Sequence, residues 1–353
     1  SRGLGDVYKR QVIYSIIVFT LLYGSIAAFT NRLGFAYNAI GIYFLFRFLL
    51  RDVEDISNAL KWLAIIIVPL AGLMIIEYTT GRNLFSIFGS VPEFSIIRDG
   101  SPRCQGPFRT AITAGSFGAT LMPLFFGLWF KERHKVYSVA GLMASTIITI
   151  TSVSSGPLLS YCFSLIGLGM WHFRRYMKVI RWGLVIVLIS LHIYMKAPIW
   201  YLIARISNFM GGHGYHRSQL INQAIAHFNE WWLIGTTYTA HWMHSTLDTD
   251  PNMIDCTNQY ISEGLQGGLL KVFLFVAIIV TCFRVLGRVL TIMQDQPFAI
   301  RMIIWSMGAS LLSHVVTFIS VTYLDQMVVV WYLSLAMIAT VNDVSKSVDS
   351  QKS

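Results

Sequence analysis

Apolar residues dominate this chain in long runs from residue 12 to near its end, broken by short polar intervals. The runs cover 12–29, 34–50, 62–78, 111–130, 137–153, 157–171, 182–199, 268–285, 302–319 and 326–341. A helix needs about 20 mostly apolar residues to cross a bilayer, and several of these runs approach that length. Peptide groups in lipid must bond within their own segment, which selects helices. A membrane barrel would instead show short segments of alternating polarity. The pattern therefore predicts an all-α fold, a polytopic transmembrane bundle of about ten spans. Ser154-Ser155-Gly156-Pro157 is a turn signal that divides 137–171 into a tight hairpin. A second short turn, holding Asp325, joins the last two runs.

Composition agrees. Of 353 residues, 55% are hydrophobic, 14% aromatic and 12% charged, against about 25% charged in a soluble domain. One membrane domain is expected over 12–345, with a cytoplasmic tail at 346–353. Ser1–Gln11 (SRGLGDVYKRQ) resembles a translated sequencing-adapter scar of the kind found at the ends of metagenomic assemblies. The native start, with one or more spans, is then expected to be missing.

The net charge of +10 carries no nucleic-acid motif, so nucleic acid is not an expected partner. Its basic residues gather in short connections: Lys131 to Lys135, His172 to Arg181, and the stretch holding Arg284, Arg288 and Arg301. The positive-inside rule places these on the cytoplasmic side, with both termini and the loop at 51–61. The protein is expected in a bacterial inner membrane.

Two long connections, 79–110 and 200–267, then face the periplasm, the second carrying short amphipathic helices. Connections of this length are uncommon unless they have work to do. They hold Arg82, Arg98, Arg103, Arg109, Arg205 and Arg217 against the charge rule. Arg82 and Arg98 read equally well as solvated surface. Two glycines and two prolines fix the backbone around Arg103 and Arg109. Arg109 opens a span rich in small residues (Ala111, Ala114, Gly115, Gly118), which suit either helix packing or close approach of a ligand. In the second connection, Gly211-Gly212-His213-Gly214-Tyr215-His216-Arg217 places glycines before a helix, where free N–H groups cradle anions.

From Arg217 to Trp232 the apolar positions Leu220, Ile221, Ala224, Ile225, Phe228, Trp231 and Trp232 keep helical spacing. Arg217 lies on that stripe and is expected to face the bundle. An inward charge at the membrane edge needs a partner: an acid such as Glu230 or Asp255, or a lipid phosphate, which suits the planar fork of arginine. His213 and His216 are candidate bases, since a histidine can take a proton from a hydroxyl at neutral pH. His227 reads as a packed histidine. Asp255, Asn258 and Glu263 close the connection; the last two also suit a helix end. Cys104 and Cys256 fall in different long connections, leaving a disulfide open; no cysteine spacing suggests a metal.

Arg205, the Gly211–Arg217 segment, Trp232-Leu233-Ile234-Gly235-Thr236, Thr257-Asn258-Gln259-Tyr260 and Glu263-Gly264-Leu265-Gln266-Gly267 resemble, in that order, the late loop of the O-antigen ligase and polymerase superfamily of bacterial membrane glycosyltransferases. The Ser154-Ser155-Gly156 turn is similar to that family's small Ser-Arg-Gly turn, with Ser155 in place of arginine. The resemblance implies inverting transfer of a glycan from an undecaprenyl-pyrophosphate carrier to an acceptor glycan or lipid in cell-surface polysaccharide synthesis, lipopolysaccharide included. It implies substrate binding by Arg103, Arg109, Arg205, Arg217 and Asn258. It implies no metal and no cofactor. The family's closing motif commonly begins His-Asn, whereas Thr257 precedes Asn258 here. His213, His216 or Asp255 then takes the base's place, or the protein is not a standard ligase. The alternatives are a non-catalytic membrane component of polysaccharide export and a transporter or flippase, which would place charges at mid-membrane depth and break helices.

Overall fold

The structure, a computed structural model, describes residues 4–98, 100–209, 214–243 and 252–352. It is helical save for one small hairpin among the described residues. Helices α1 (Leu4–Tyr23) and α2 (Ile26–Leu49) are separated at Gly24, whose φ of 58° ends the first; the Ser25 hydroxyl caps the second by accepting the Ala28 N–H at 3.1 Å. The sequence placed this break at 30–33, around Asn31 and Arg32. The helix carries those residues instead, because the Arg32 guanidinium rests on the Phe19 ring at 3.7 Å and donates to Gln266 Oε1 at 2.9 Å.

Helix α3 (Val53–Thr80) starts at the Asp52 cap, with Glu54 and Asp55 in its first turn, and stops at Gly81 with φ 71°. Acids at the positive end of a helix favour this start, so most of the stretch read as a loop at 51–61 belongs to the helix. The hairpin β1 (Ile96–Arg98) and β2 (Ser101–Arg103) follows. Then come α4 (Ala111–Leu128), α5 (Lys135–Thr151), α6 (Ser155–Gly169) and α7 (Met177–Tyr194). The α5–α6 hairpin expected from Ser154-Ser155-Gly156-Pro157 is present, turning through Val153 at φ 42°. Short helices α8 (Tyr201–Phe209), α9 (Tyr215–Ala226) and α10 (Phe228–Trp231) fill the second long connection. The chain closes with α11 (Gln259–Ile292), α12 (Phe298–Thr317) and α13 (Gln326–Lys352), the last running through the stretch expected as a tail.

Among the described residues, six helical stretches are long and apolar enough to cross a membrane: Val53–Thr80, Ala111–Leu128, Ser155–Tyr194, Gln259–Ile292, Phe298–Thr317 and Gln326–Ser350. This is the build of a multi-pass membrane protein.

The core forms around α4, which packs against α5, α6 and α12 and is buried along nearly its whole length. Its small residues serve helix packing. A Cβ on Gly118 would stand 2.5 Å from the Ser145 carbonyl oxygen, so only glycine permits that approach. Hydroxyls then join the helices: Ser310 Oγ donates to the Thr120 carbonyl at 2.7 Å and Ser313 Oγ to the Ala119 carbonyl at 3.1 Å. Lipid offers no hydrophobic drive between helices, so close fit and such bonds hold the bundle together. On the other flank, α1, α2, α11 and α13 pack together.

Cys104 and Cys256 are free thiols. The Cys104 N–H is tied to the Thr151 carbonyl at 3.1 Å, and Cys256 Sγ donates to the Asn258 carbonyl at 3.4 Å. Each is held by its own neighbours, and no bridge joins the two long connections. Burial pushes both thiols up to about 12, with Glu77 adding to the effect on Cys104.

Candidate anion-binding site

Both long connections meet at the turn between α5 and α6. The hairpin pairs Arg98 with Ser101 and Ile96 with Arg103. Side chains two apart on a strand share a face, so Arg98 and Arg103 project from the same face. Arg103 Nη2 donates to Ser154 Oγ at 2.9 Å, while its Nε is buried without a hydrogen-bond partner. The hairpin is held in place by Glu77 at the end of α3. That carboxylate accepts the backbone N–H of Gln105 at 3.0 Å and of Gly106 at 2.9 Å, and the Ser95 hydroxyl at 2.8 Å. It is spent on two backbone N–H groups and a hydroxyl, and not on an arginine.

From the second connection, α9 brings Arg217 to the same place. Leu220 and Ala224, three and seven residues on, are buried, as the helical stripe predicted. Arg217 Nη1 reaches Ser155 Oγ and Ser207 Oγ, each at 3.5 Å, the outer limit of a hydrogen bond. Those two hydroxyls bond each other more tightly, at 2.8 Å. Gly156 lets the guanidinium come up against α6: a Cβ there would meet Arg217 Nη2 at 3.4 Å and Ser320 Oγ at 2.7 Å. A small hollow of about 50 Å³ remains, lined by Ser155, Gly156, Ser207, Arg217 and Ser320 with Leu159, Ile203, Val316 and Ile319.

The electrostatics are one-sided. Burial, and then the charges of Arg98 and Arg103, lower Arg217 to about 10. Burial, followed by Arg98, lowers Arg103 as well. Among the described residues no carboxylate pairs with any of the three. Arg217 lines the hollow, Arg103 reaches Ser154 beside it, and the charge of Arg98 acts on both, at the N-terminus of α6, where free N–H groups and the helix dipole favour negative charge. That arrangement suits an anion.

Other sequence candidates fall elsewhere. Arg109 is exposed just before the Thr110 cap of α4, where the buried face begins only at Ala111. Arg205 is exposed on α8, because that helix buries Ala204 and Ser207 and leaves 205 outside. Asn258 is taken up as the cap of α11, its Oδ1 accepting the N–H groups of Tyr260 and Ile261. Asp255 is exposed. His213 lies outside the described residues. His216 is half-buried one position before Arg217 and has no hydrogen bond among the described residues; it does not line the hollow. Arg82 pairs with Glu93 at 2.8 Å on the surface, as the solvated reading expected. Arg98 is half-buried, and its charge acts on both other arginines. Its signal was the Asp99-Gly100 dipeptide between two short β-prone stretches, a hairpin mark.

Two further polar centres were not read from sequence. A cavity of about 350 Å³ between α1, α2, α11 and α13 is lined by Arg32, Gln259, Glu263, Gln266 and Lys271 among others. Lys271 Nζ pairs with Glu263 Oε2 at 3.1 Å, both nearly buried. Helix α11 is broken beside them, at Gly267 and Gly268. The sequence reading placed the polar stretch at 259–267 before a span starting at 268, and the non-helical backbone of Gly267 and Gly268 does divide α11 there into a polar first part and an apolar second part. The second centre is His314 on α12, fully buried between Tyr323 OH at 2.6 Å and Ser334 Oγ at 3.2 Å, with both ring nitrogens engaged.

His227, expected as a packed histidine, and His241 both bond the carboxylate of Glu230. Desolvation opposes the ionised carboxylate, but bonds from Trp242, His241 and His227 outweigh it and draw Glu230 down to about 2. This cluster sits ten residues beyond Arg217 along α9, roughly 15 Å at 1.5 Å per residue. It does not belong to the arginine site.

No family model matches the chain. No curated protein matches it.

Proposed function

We propose that the chain works in a bacterial inner membrane, with about ten spans, transferring or polymerising a polyprenyl-pyrophosphate-linked glycan on its periplasmic face. The observation that carries this reading is the convergence of Arg98, Arg103 and Arg217 at the start of α6 with no carboxylate partner among the described residues. Charges held this way await an anion, and a lipid pyrophosphate offers its oxygens at the membrane edge, where the two long connections meet. Guanidinium groups grip such oxygens in pairs.

In the reaction, the acceptor hydroxyl attacks the anomeric carbon, the bond from that carbon to the pyrophosphate oxygen breaks, and the configuration inverts. The acceptor proton passes to a base, for which His216 is the nearest histidine along the chain. The electron pair goes to the departing carrier pyrophosphate, whose growing charge the arginines stabilise. Single replacement of Arg98, Arg103, Arg217 and His216 by alanine in the host tests this. Carrier-linked glycan should accumulate and finished polysaccharide should disappear in the arginine variants. Normal product from all four, at normal protein level, defeats the proposal.

A flippase for the same lipid-linked glycan is favoured by one observation of its own. The break in α11 beside the buried Glu263–Lys271 pair and its 350 Å³ cavity supplies the interior charge and discontinuous helix that transport uses. Reconstituted vesicles separate the two: transbilayer movement of the carrier lipid without transfer supports the flippase, and transfer without movement supports the enzyme.

A further inference from the structure

We propose that His227, Glu230 and His241 form a binding site for a divalent transition-metal ion of the zinc class, separate from the arginine cluster. His227 Nδ1 lies 2.7 Å and His241 Nε2 3.1 Å from the same oxygen, Glu230 Oε1. One ligand atom from each residue fits within 4.8 Å of the others. Zinc binds imidazole nitrogen at about 2.0–2.1 Å and carboxylate oxygen at about 2.0–2.2 Å, which puts neighbouring ligands about 3 Å apart. The observed separations match that span.

The rings are also aimed. The His227 ring stacks on the buried Trp242, with planes 9° apart and centroids at 5.3 Å. The His241 ring stacks on Tyr238, with planes 14° apart and centroids at 5.2 Å. The Trp242 indole N–H donates to Glu230 Oε2 at 2.9 Å, which fixes the carboxylate and leaves Oε1 to face the histidines. Such outer partners are what metal ligands ordinarily carry. All three side chains are partly open, at 28%, 36% and 38% exposure, so an ion can reach them and water can complete its shell. Half-exposed hydrogen bonds alone give little reason for three side chains to converge so tightly, because water would serve each as well.

Two imidazoles and one carboxylate make a donor set that suits zinc, with a position left for water. On binding, the ring nitrogens now donating to Glu230 would carry the metal instead, and each ring proton would move to the opposite nitrogen. The ion would tie the end of α9 and α10 to the segment carrying His241. It would order this connection without entering the transfer reaction.

Tag-free protein, stripped with a chelator and held in detergent at about pH 7.5, where imidazole is mostly neutral, is titrated with Co²⁺ and then Zn²⁺. A visible Co²⁺ band should saturate at one ion per chain and be displaced by Zn²⁺. His227→Ala, His241→Ala and Glu230→Gln should each weaken binding by at least about tenfold, and Arg217→Ala should leave it unchanged. Failure of the native protein to saturate at one equivalent overturns the site, as does equal affinity in both histidine variants. The native titration decides even if a variant fails to fold.

Discussion

Arg103 and Arg217 stand on different long connections, and the charge of Arg103 raises the cost of the charge on Arg217 instead of relieving it. Arg103 helps lower Arg217 to about 10, behind burial and Arg98. On the proposed reading, a lipid-linked pyrophosphate supplies the missing negative charge. Removing the charge should therefore expose a trade. Arg217→Leu is expected to raise the melting temperature slightly, since it relieves desolvation and like-charge repulsion together. It should at the same time abolish formation of finished polysaccharide. Thermal unfolding of the purified variant beside glycan analysis of the host gives both readings. A less stable variant that still makes product would place Arg217 among structural residues.

Geometry should matter as well as charge. Arg217→Lys keeps one positive charge but loses the planar fork. Hydrogen bonds to charged groups are worth about 1.5–3 kcal/mol each. Pyrophosphate affinity is therefore expected to fall roughly ten- to a hundredfold in the lysine variant, measured by calorimetry in detergent. Unchanged affinity would mean that Arg217 acts only through its long-range field.

The lowered Arg217 sets a pH window. A base whose folded value lies below its unfolded one weakens the fold while it is protonated in both states, and that cost fades as pH rises through the folded value. From pH 6 to about 9 Arg217 stays charged, so affinity for sulfate, an anion fully ionised in this range, should be flat. It should decline as pH passes about 10, the value to which Arg217 is lowered. A decline well below that value would point to a group other than Arg217 as the one that holds the anion.

How far this site was legible in the sequence depends on which physical signal each residue carries. Arg217 was readable because helical spacing fixes a face, and Leu220 and Ala224 are indeed buried beneath α9. Arg103 was marked by the glycines and prolines around it. Arg98 was not, since one Asp-Gly turn decides whether it shares a face with Arg103, and that turn went unread. Arg109 and Arg205 were misplaced because residue type says nothing of orientation. Arg205 lies one step from the buried Ala204 on α8, where one step turns about 100°, and Arg109 lies in the turn just before the Thr110 cap. The Glu263–Lys271 pair was hidden because its members lie on opposite sides of the glycine break, and spacing along the chain does not say that the kink brings them together.

Gly156 supplies the sharpest test of the hollow itself. It carries no charge and no side chain, yet a Cβ there would crowd Ser320 Oγ at 2.7 Å and Arg217 Nη2 at 3.4 Å. Gly156→Ala should displace the guanidinium by a few tenths of an ångström at modest cost, because Arg217 is a flexible side chain. Gly156→Val fills the hollow outright, and overpacking of this kind costs about 1–3 kcal/mol. The expected order of pyrophosphate affinity is native, then alanine, then valine, with valine near the level of Arg217→Ala. Calorimetry on the three proteins checks it, with melting temperature as the control for folding. Equal affinity across the series would show that the anion is held on the outer side of the arginines, away from α6, and that the start of this helix takes no part in holding it.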